Sequence, residues 1–314
     1  MRIAIFGSGA VGGYFGVRLA QAGEDVVFIA RGSHLKAMRE QGLRLESPKG
    51  DALIHPVQVV EDPSQAGEVD YVILGVKAWQ VSEAAAAMRR LIGEKTTVVP
   101  LQNGVEAADN LVKVLGKEHV MNGLCRVISM LAGPGHIRHL GMEPYMAFGE
   151  QDNLPSERAQ RLLDACQKAG ISAEVPADIM AAVWMKFLFI APYSGLGAVT
   201  RAPAGLLRDV PQTRHLLEHA IHEVFHVGKA YKVNLPGDAV ESVLASIDNL
   251  PPEGTSSMQR DIIEGRPSEL EAQNGAVVRL GWQAGIQVPV NSFIYAALLP
   301  AELKARGVLK NGAE

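Results

Sequence analysis

Cysteine is scarce: Cys125 and Cys166 are the two thiols among 314 residues. They lie far apart in sequence and read as reduced side chains of a cytoplasmic protein. Basic clusters are missing too. Thirty Lys and Arg stand against 34 Asp and Glu, a net charge of −4, and no lysine- or arginine-rich block occurs. A nucleic-acid surface or a polybasic membrane patch is therefore not expected, and the expected partner is a small molecule. The most apolar stretch, residues 181–199, is interrupted by Lys186, Pro192, Gly195 and Gly197. A spanning helix needs about 20 mainly apolar residues, so a buried helix followed by a turn is expected instead, with no membrane partner. Met1-Arg2 runs straight into a strand pattern without a charged leader or long apolar segment, so no secretory signal is expected.

What is present suits a soluble α/β protein: 47% hydrophobic residues, 20% charged and 32 glycines leave ample apolar surface to bury. The length favours two domains of roughly 150 residues each. Arg2 to Phe6, Val11 to Ala22 and Asp25 to Ala30 read as strand, helix and strand. Tyr71 to Gly75 and Thr97 to Leu101 are further strand candidates, with an alanine-rich helix from Val81 to Leu91 between them. This alternation predicts a Rossmann-type, doubly wound parallel sheet. Beyond Gly116, strand patterns at Val120 to Ile128, Gly135 to Leu140, Tyr145 to Phe148 and Ile171 to Glu174 predict a β-rich edge, with a helix over Ser156 to Ala169. From about Asp178, long helical patterns punctuated by proline and glycine predict an all-α C-terminal domain. The expected division is 1–174 and 175–314.

Gly7-Ser8-Gly9-Ala10-Val11-Gly12 is a G-x-G-x-x-G placed directly after a strand and before a helix. In that context the first glycine permits the turn, the second lets backbone approach a pyrophosphate, and the third lets helix and strand pack closely. The residue about 20 positions on, at the tip of the second strand, reads the adenosine ribose: an acid suits NAD, an arginine the 2′-phosphate of NADP. Here it is Arg31, and no acid stands beside it, so NADPH is the expected cofactor. His34 and Lys36 would add positive charge, or simply be a solvated helix start. Lys77 and Asn103 follow the third and fourth parallel strands, at the carboxyl edge where open α/β sheets bind ligands.

Taken together, GSGAVG, Arg31, Lys77-Ala78-Trp79-Gln80-Val81 and Gln102-Asn103-Gly104 resemble the ketopantoate reductases in order and spacing. In the second half, Trp184-Met185-Lys186 resembles the start of the family's catalytic-lysine helix, and Ser256-Ser257-Met258 with Asp261 and Glu269 resembles its S-S-M…D…E segment. The resemblance covers essentially the whole chain. It implies that Lys186 is the general acid, that Glu269 helps hold substrate and lysine, that Asn103 and Lys77 line the nicotinamide and substrate crevice, and that Ser257 binds the substrate carboxylate. The family's polar positions on and after the lysine helix align with Ile190, Ser194 and Ala204, of which only Ser194 keeps a hydrogen-bonding side chain. The resemblance thus implies reduction of a 2-oxoacid, ketopantoate first, at a site between the two domains, with dimerisation through the helical domain.

Other readings stand beside this one. A different 2-oxoacid on the same scaffold, or a catalytically silent NADPH-binding sensor, would use the same glycine loop. His222-Glu223-Val224-Phe225-His226 is a literal H-E-x-x-H, the zinc-hydrolase pattern. No third ligand is evident downstream, where residues 229 and 232 are lysines. Glu223 is therefore read as structural, and no metal is expected.

Overall fold

Ile3, Ala4, Ile5 and Phe6 are all buried, as a central parallel strand covered on both faces requires. The chain is described here by a computed structural model over residues 1–309. It forms two compact units, Met1–Gln102 with Ala107–Ile179, and Asn103–Glu106 with the chain from Met180 onward.

In the first unit, β1 (Arg2–Phe6), α1 (Ala10–Gln21), β2 (Asp25–Ile29), α2 (Gly32–Gln41), β3 (Leu43–Glu46), β4 (Ala52–Ile54), β5 (Gln58–Val60), β6 (Tyr71–Leu74), α3 (Val81–Met88), β7 (Thr97–Pro100) and α4 (Ala107–Leu115) follow in order. Strands β5-β2-β1-β6-β7 form one wholly parallel sheet. The chain winds outward from β1 on one side, then returns to build the other, which is the doubly wound arrangement expected from the sequence. Alternate side chains of β1 enter different cores. Ile3 and Ile5 pack with Phe15, Phe28 and Leu45, whereas Ala4 and Phe6 pack with Val72, Ala85 and Leu111 on the face covered by α3 and α4.

The rest of this unit comprises β8 (Asn122–Arg126), β9 (Ser129–Gly133), β10 (His136–His139), β11 (Tyr145–Gly149), α5 (Glu157–Lys168) and β12 (Ser172–Glu174). Two small sheets result, β4-β3-β10-β9 and β12-β11-β8. Helix α1 touches β1 on one side and β10 on the other. A Cβ on Gly16 would lie 2.7 Å from the Ile5 side chain, and one on Gly13 would lie 2.6 Å from Ile137. Small residues on both faces let the helix fit between two layers.

The second unit is helical: α6 (Ile179–Thr200), α7 (Ala204–Asp209), α8 (Pro211–Ala230), α9 (Ala239–Asp248), α10 (Ser257–Ile263), α11 (Asn274–Ala284) and α12 (Pro289–Ala305). Helix α6 is apolar around most of its circumference, as a core helix is. Among the described residues it is the one helix long and apolar enough to cross a membrane, yet 61% of its most apolar window is buried inside the protein. Trp184, Phe187, Leu188 and Leu196 share one buried core with Leu217, Ile221 and Val224 of α8 and Ile294 and Leu298 of α12.

A buried carboxylate ties α8 to α12. Glu223 accepts from the amides of Val290 (2.7 Å) and Asn291 (2.9 Å) and from the Asn291 side chain (2.7 Å). These are first-turn amides of α12 with no partner inside their own helix, so the carboxylate caps it from outside. Glu223→Ala leaves those donors buried without an acceptor and is expected to cost about 2–4 kcal/mol. A thermal melt with the wild-type midpoint would contradict this.

Candidate active site

The glycine loop owes its shape to two residues without side chains. Gly7 has φ +95 and a Cβ there would lie 2.7 Å from the Val76 nitrogen, while a Cβ on Gly12 would lie 2.2 Å from the Gly7 carbonyl oxygen. The turn and the approach of α1 to β1 therefore both require glycine. A Cβ on Gly9 would meet nothing within 4 Å. The middle glycine thus faces open space, as a residue reserved for close approach of a phosphate does. Ser8 is buried; its hydroxyl donates to the Ile29 carbonyl (2.9 Å), pinning the loop to the end of β2. Ala10 and Val11 begin α1, whose ladder opens with Gly13 N–H to Gly9 carbonyl at 2.7 Å.

Arg31 is the residue capping α2 immediately beyond β2. Its guanidinium is 65% exposed and stands 3.7 Å from a similarly exposed Glu83, a surface pairing weak enough to yield to a phosphate. His34, considered from sequence as added positive charge, is held otherwise. Its Nδ1 accepts from the Gly135 amide (2.9 Å), and its Nε2 lies 2.9 Å from the Ser8 carbonyl oxygen. An amide can only donate, so Nδ1 keeps its lone pair, Nε2 carries the proton, and the ring is neutral. Burial lowers its pKa against the opposing bond to Ser8.

Lys77 follows β6, with its ammonium 5.8 Å from the centroid of the Trp79 ring and its amide bonded to the Gln80 side chain. The carboxyl end of β6 is braced by Gln102, whose amide nitrogen donates to the carbonyls of Leu74 and Val76, both at 2.9 Å.

In the helical unit, Asn103 and Glu269 are in direct contact, Asn103 Nδ2 donating to Glu269 Oε2 at 2.9 Å. The segment carrying Asn103 is fixed there by Gly104, where a Cβ would lie 2.5 Å from the Ala272 carbonyl oxygen, and by Arg279 binding Glu106 at 2.6 Å. Glu269 is buried and precedes α11 in a run of turns rather than opening a helix. The residue before it is anchored: the Ser268 amide and hydroxyl both donate to Glu302, at 3.0 and 2.5 Å, and Arg306 binds the same carboxylate at 2.6 Å. Glu302 carries no sequence signal for this task, because its partner lies 34 residues away.

Lys186 is the single charged residue of α6. The half-buried residues of that helix are Ala181, Ala182, Met185, Lys186, Phe189 and Ile190, with Met180 at its start and Val199 near its end. The first six form one stripe at helical spacing, so Lys186 stands on the accessible side. Ser194 is fully buried and its Oγ has no hydrogen-bond partner among the described residues; Ala204 is likewise sealed in the core. Ser256 and Ser257 have separate tasks. Ser256 is buried and caps α10, accepting from the Gln259 amide at 3.1 Å while Gln259 reaches back to the Ser256 amide. Ser257, the first residue of α10, is exposed. The S-x-x-Q spacing of a capping box was the signal that separates the two.

The H-E-x-x-H segment is arranged as a structural element. His222 and His226 are exposed on α8, whereas both oxygens of Glu223 are committed to α12. No group of three His, Cys, Asp or Glu suited to a metal occurs among the described residues.

Comparison with known proteins matches this architecture along its length. Residues 3–153 match the family described as ketopantoate reductase PanE/ApbA, and residues 178–302 match its C-terminal part. The 2-dehydropantoate 2-reductase of Nostoc sp. is 30% identical over 301 residues, covering 95% of this chain and 94% of the relative. The crystal structure of a PanE/ApbA family ketopantoate reductase from Ralstonia eutropha JMP134 is 33% identical and covers 98% of this chain and all of its own, with a TM-score of 0.89. D-mandelate dehydrogenase, solved with NADH and anilino(oxo)acetate, has a TM-score of 0.88 over 98% of this chain and all of its own; at 24% identity that likeness is one of fold. The chain belongs to the ketopantoate reductase family.

Proposed function

We propose that this chain reduces 2-dehydropantoate to pantoate with NADPH as the reductant. The observation that carries the reading is Lys186, the one charge on a 22-residue core helix, set on that helix's accessible stripe. In the first unit, the open face at Gly9 and the exposed guanidinium of Arg31 fit a dinucleotide with a 2′-phosphate, and Lys77 stands at the same carboxyl edge of the sheet. When bound, the reduced nicotinamide supplies a hydride to C2 of the 2-oxoacid.

As C2 is reduced, its carbonyl oxygen gains negative charge and then a proton. The Lys186 ammonium meets both needs, stabilising the developing oxyanion and donating the proton, which solvent later restores. Asn103 and Glu269 act as one unit: the bond between them fixes the Asn103 amide, so that its carbonyl oxygen is turned away from Glu269. Glu269 holds substrate and lysine, and the exposed hydroxyl of Ser257 receives the substrate carboxylate. Dimerisation through the helical unit is supported by its exposed Leu216, Trp282 and Phe293.

A second reading, a related 2-oxoacid without a terminal hydroxyl, is favoured by the other members of the Lys186 stripe. Met185, Phe189 and Ile190 offer no hydrogen bond, and Ser194 is sealed away from the accessible side.

Three measurements test these assignments. Lys186→Ala should lower kcat/KM by about 10²–10⁴-fold while NADPH still raises the melting temperature; unchanged turnover removes the lysine from the chemistry. Arg31→Ala should reduce the preference for NADPH over NADH about tenfold or more, the worth of a charge-assisted bond to phosphate. An unaltered ratio would mean that the phosphate is read elsewhere. Ile190→Asn should raise kcat/KM for ketopantoate relative to its analogue lacking the hydroxyl by about tenfold or more if that position faces the hydroxyl. An unmoved ratio places the hydroxyl elsewhere.

A further inference from the structure

His34 touches the glycine loop through its imidazole. Its ring spans three segments of the first unit: it sits on α2, receives the Gly135 amide from the turn between β9 and β10, and donates to the carbonyl oxygen of Ser8. That carbonyl belongs to the Ser8–Gly9 peptide, which is trans.

In a trans peptide the C=O and N–H bonds point in opposite directions. Holding the Ser8 oxygen on the side of α2 therefore directs the Gly9 N–H to the other side of the same plane. Of the three loop glycines, Gly9 is also the one at which an added Cβ would meet open space. Were this peptide to rotate, a carbonyl oxygen would replace the N–H, and a partial negative charge would face an incoming pyrophosphate. The backbone at Gly9 opposes such rotation weakly, because glycine tolerates many values of φ.

We propose that His34 is a positioning residue for coenzyme binding: through its bond to the Ser8 carbonyl it locks the Ser8–Gly9 peptide with the amide directed at the dinucleotide pyrophosphate. This rests on the reading of the loop as a dinucleotide site. The residue touches loop backbone, and its effect on the coenzyme passes through that peptide. Only the neutral ring protonated at Nε2 makes both bonds, and the Gly135 amide enforces that tautomer by claiming Nδ1.

Two substitutions separate the ring's bonds. The Oδ1 of His34→Asn takes the place of Nδ1 and keeps the acceptor for Gly135, but has no donor long enough for Ser8. The Nε2 of His34→Gln takes the place of the donating ring nitrogen. The full-length protein is titrated with NADPH and, separately, with adenosine 2′-monophosphate, which has the 2′-phosphate but no pyrophosphate. His34→Asn should weaken NADPH about three- to tenfold, the worth of one hydrogen bond. It should leave the nucleotide monophosphate within about twofold of wild type, and His34→Gln should restore NADPH binding to within about twofold. Equal weakening of both ligands in His34→Asn, or NADPH affinity equal to wild type, overturns the proposal even where the variant melts early, because the ratio of the two affinities is the readout. Wild-type protein that fails to bind NADPH at all would instead refute the dinucleotide reading on which the inference stands.

Discussion

The first unit depends on how closely α1 can approach β1. With the would-be Cβ of Gly12 only 2.2 Å from the Gly7 oxygen, and that of Gly75 3.0 Å from the Gly12 backbone, any side chain at these points would push the helix away from the sheet. Displacing α1 would also disturb the layer beyond it, since Gly13 packs on Ile137 of β10. The loop before α1 is consequently held on both sides, by Ser8 bonding to the end of β2 and by His34 bonding to the Ser8 carbonyl. Packing and side chains together thus fix the peptide planes of this loop, which is what the proposed binding of a pyrophosphate by backbone amides would need.

The helical unit achieves the same rigidity differently, by satisfying buried polar groups with partners distant in sequence. Glu223 caps α12; the Asn291 side-chain oxygen accepts from the Asn274 amide nitrogen, which also donates to the Ala191 carbonyl in α6. That last bond falls beside Pro192, which leaves the α6 ladder one donor short. Ser268, Glu302 and Arg306 fix the chain just before Glu269. Each such group is costly to bury unpaired, so together they select one packing of otherwise interchangeable apolar helices. Glu269 and Asn103 are thereby presented from a stiff support although both lie in turns.

The sequence shows its local features plainly. The β1–loop–α1–β2 unit is legible because glycine spacing, an apolar strand and a tip arginine occur within some thirty residues. The run from Gly32 to Val60 is not, because β3, β4 and β5 have four, three and three residues. Their pairing is non-local, with Arg44 meeting His136. Strand β9 was missed because its Met130 and Leu131 face outward, which erases the expected alternation. The expected strand over Val120 to Ile128 is shorter, Asn122–Arg126, and the helix expected to Leu91 ends at Met88 in a 3-10 turn. At the site, Lys186 and Glu269 were indicated by resemblance alone, since a lysine among apolar residues also suits a snorkelling side chain. The attachment of Asn103–Glu106 to the helical unit has no local signature, because it depends on Gly104 meeting Ala272 some 170 residues away.

Placing a single ammonium on an otherwise apolar stripe has a chemical consequence that neither feature has alone. Under the proposed function, a small acid lying over Phe189 and Ile190 would exclude water, lower the local dielectric, and strengthen the attraction between ammonium and oxygen as the oxygen becomes anionic. The gain is largest when the charge on oxygen is largest, which is the condition for lowering a barrier rather than merely tightening binding. Under that proposal, an apolar neighbourhood at Ile190 would serve the reaction even where it gives up a hydrogen bond to the substrate, and discrimination between 2-oxoacids would fall to the groups bordering the stripe.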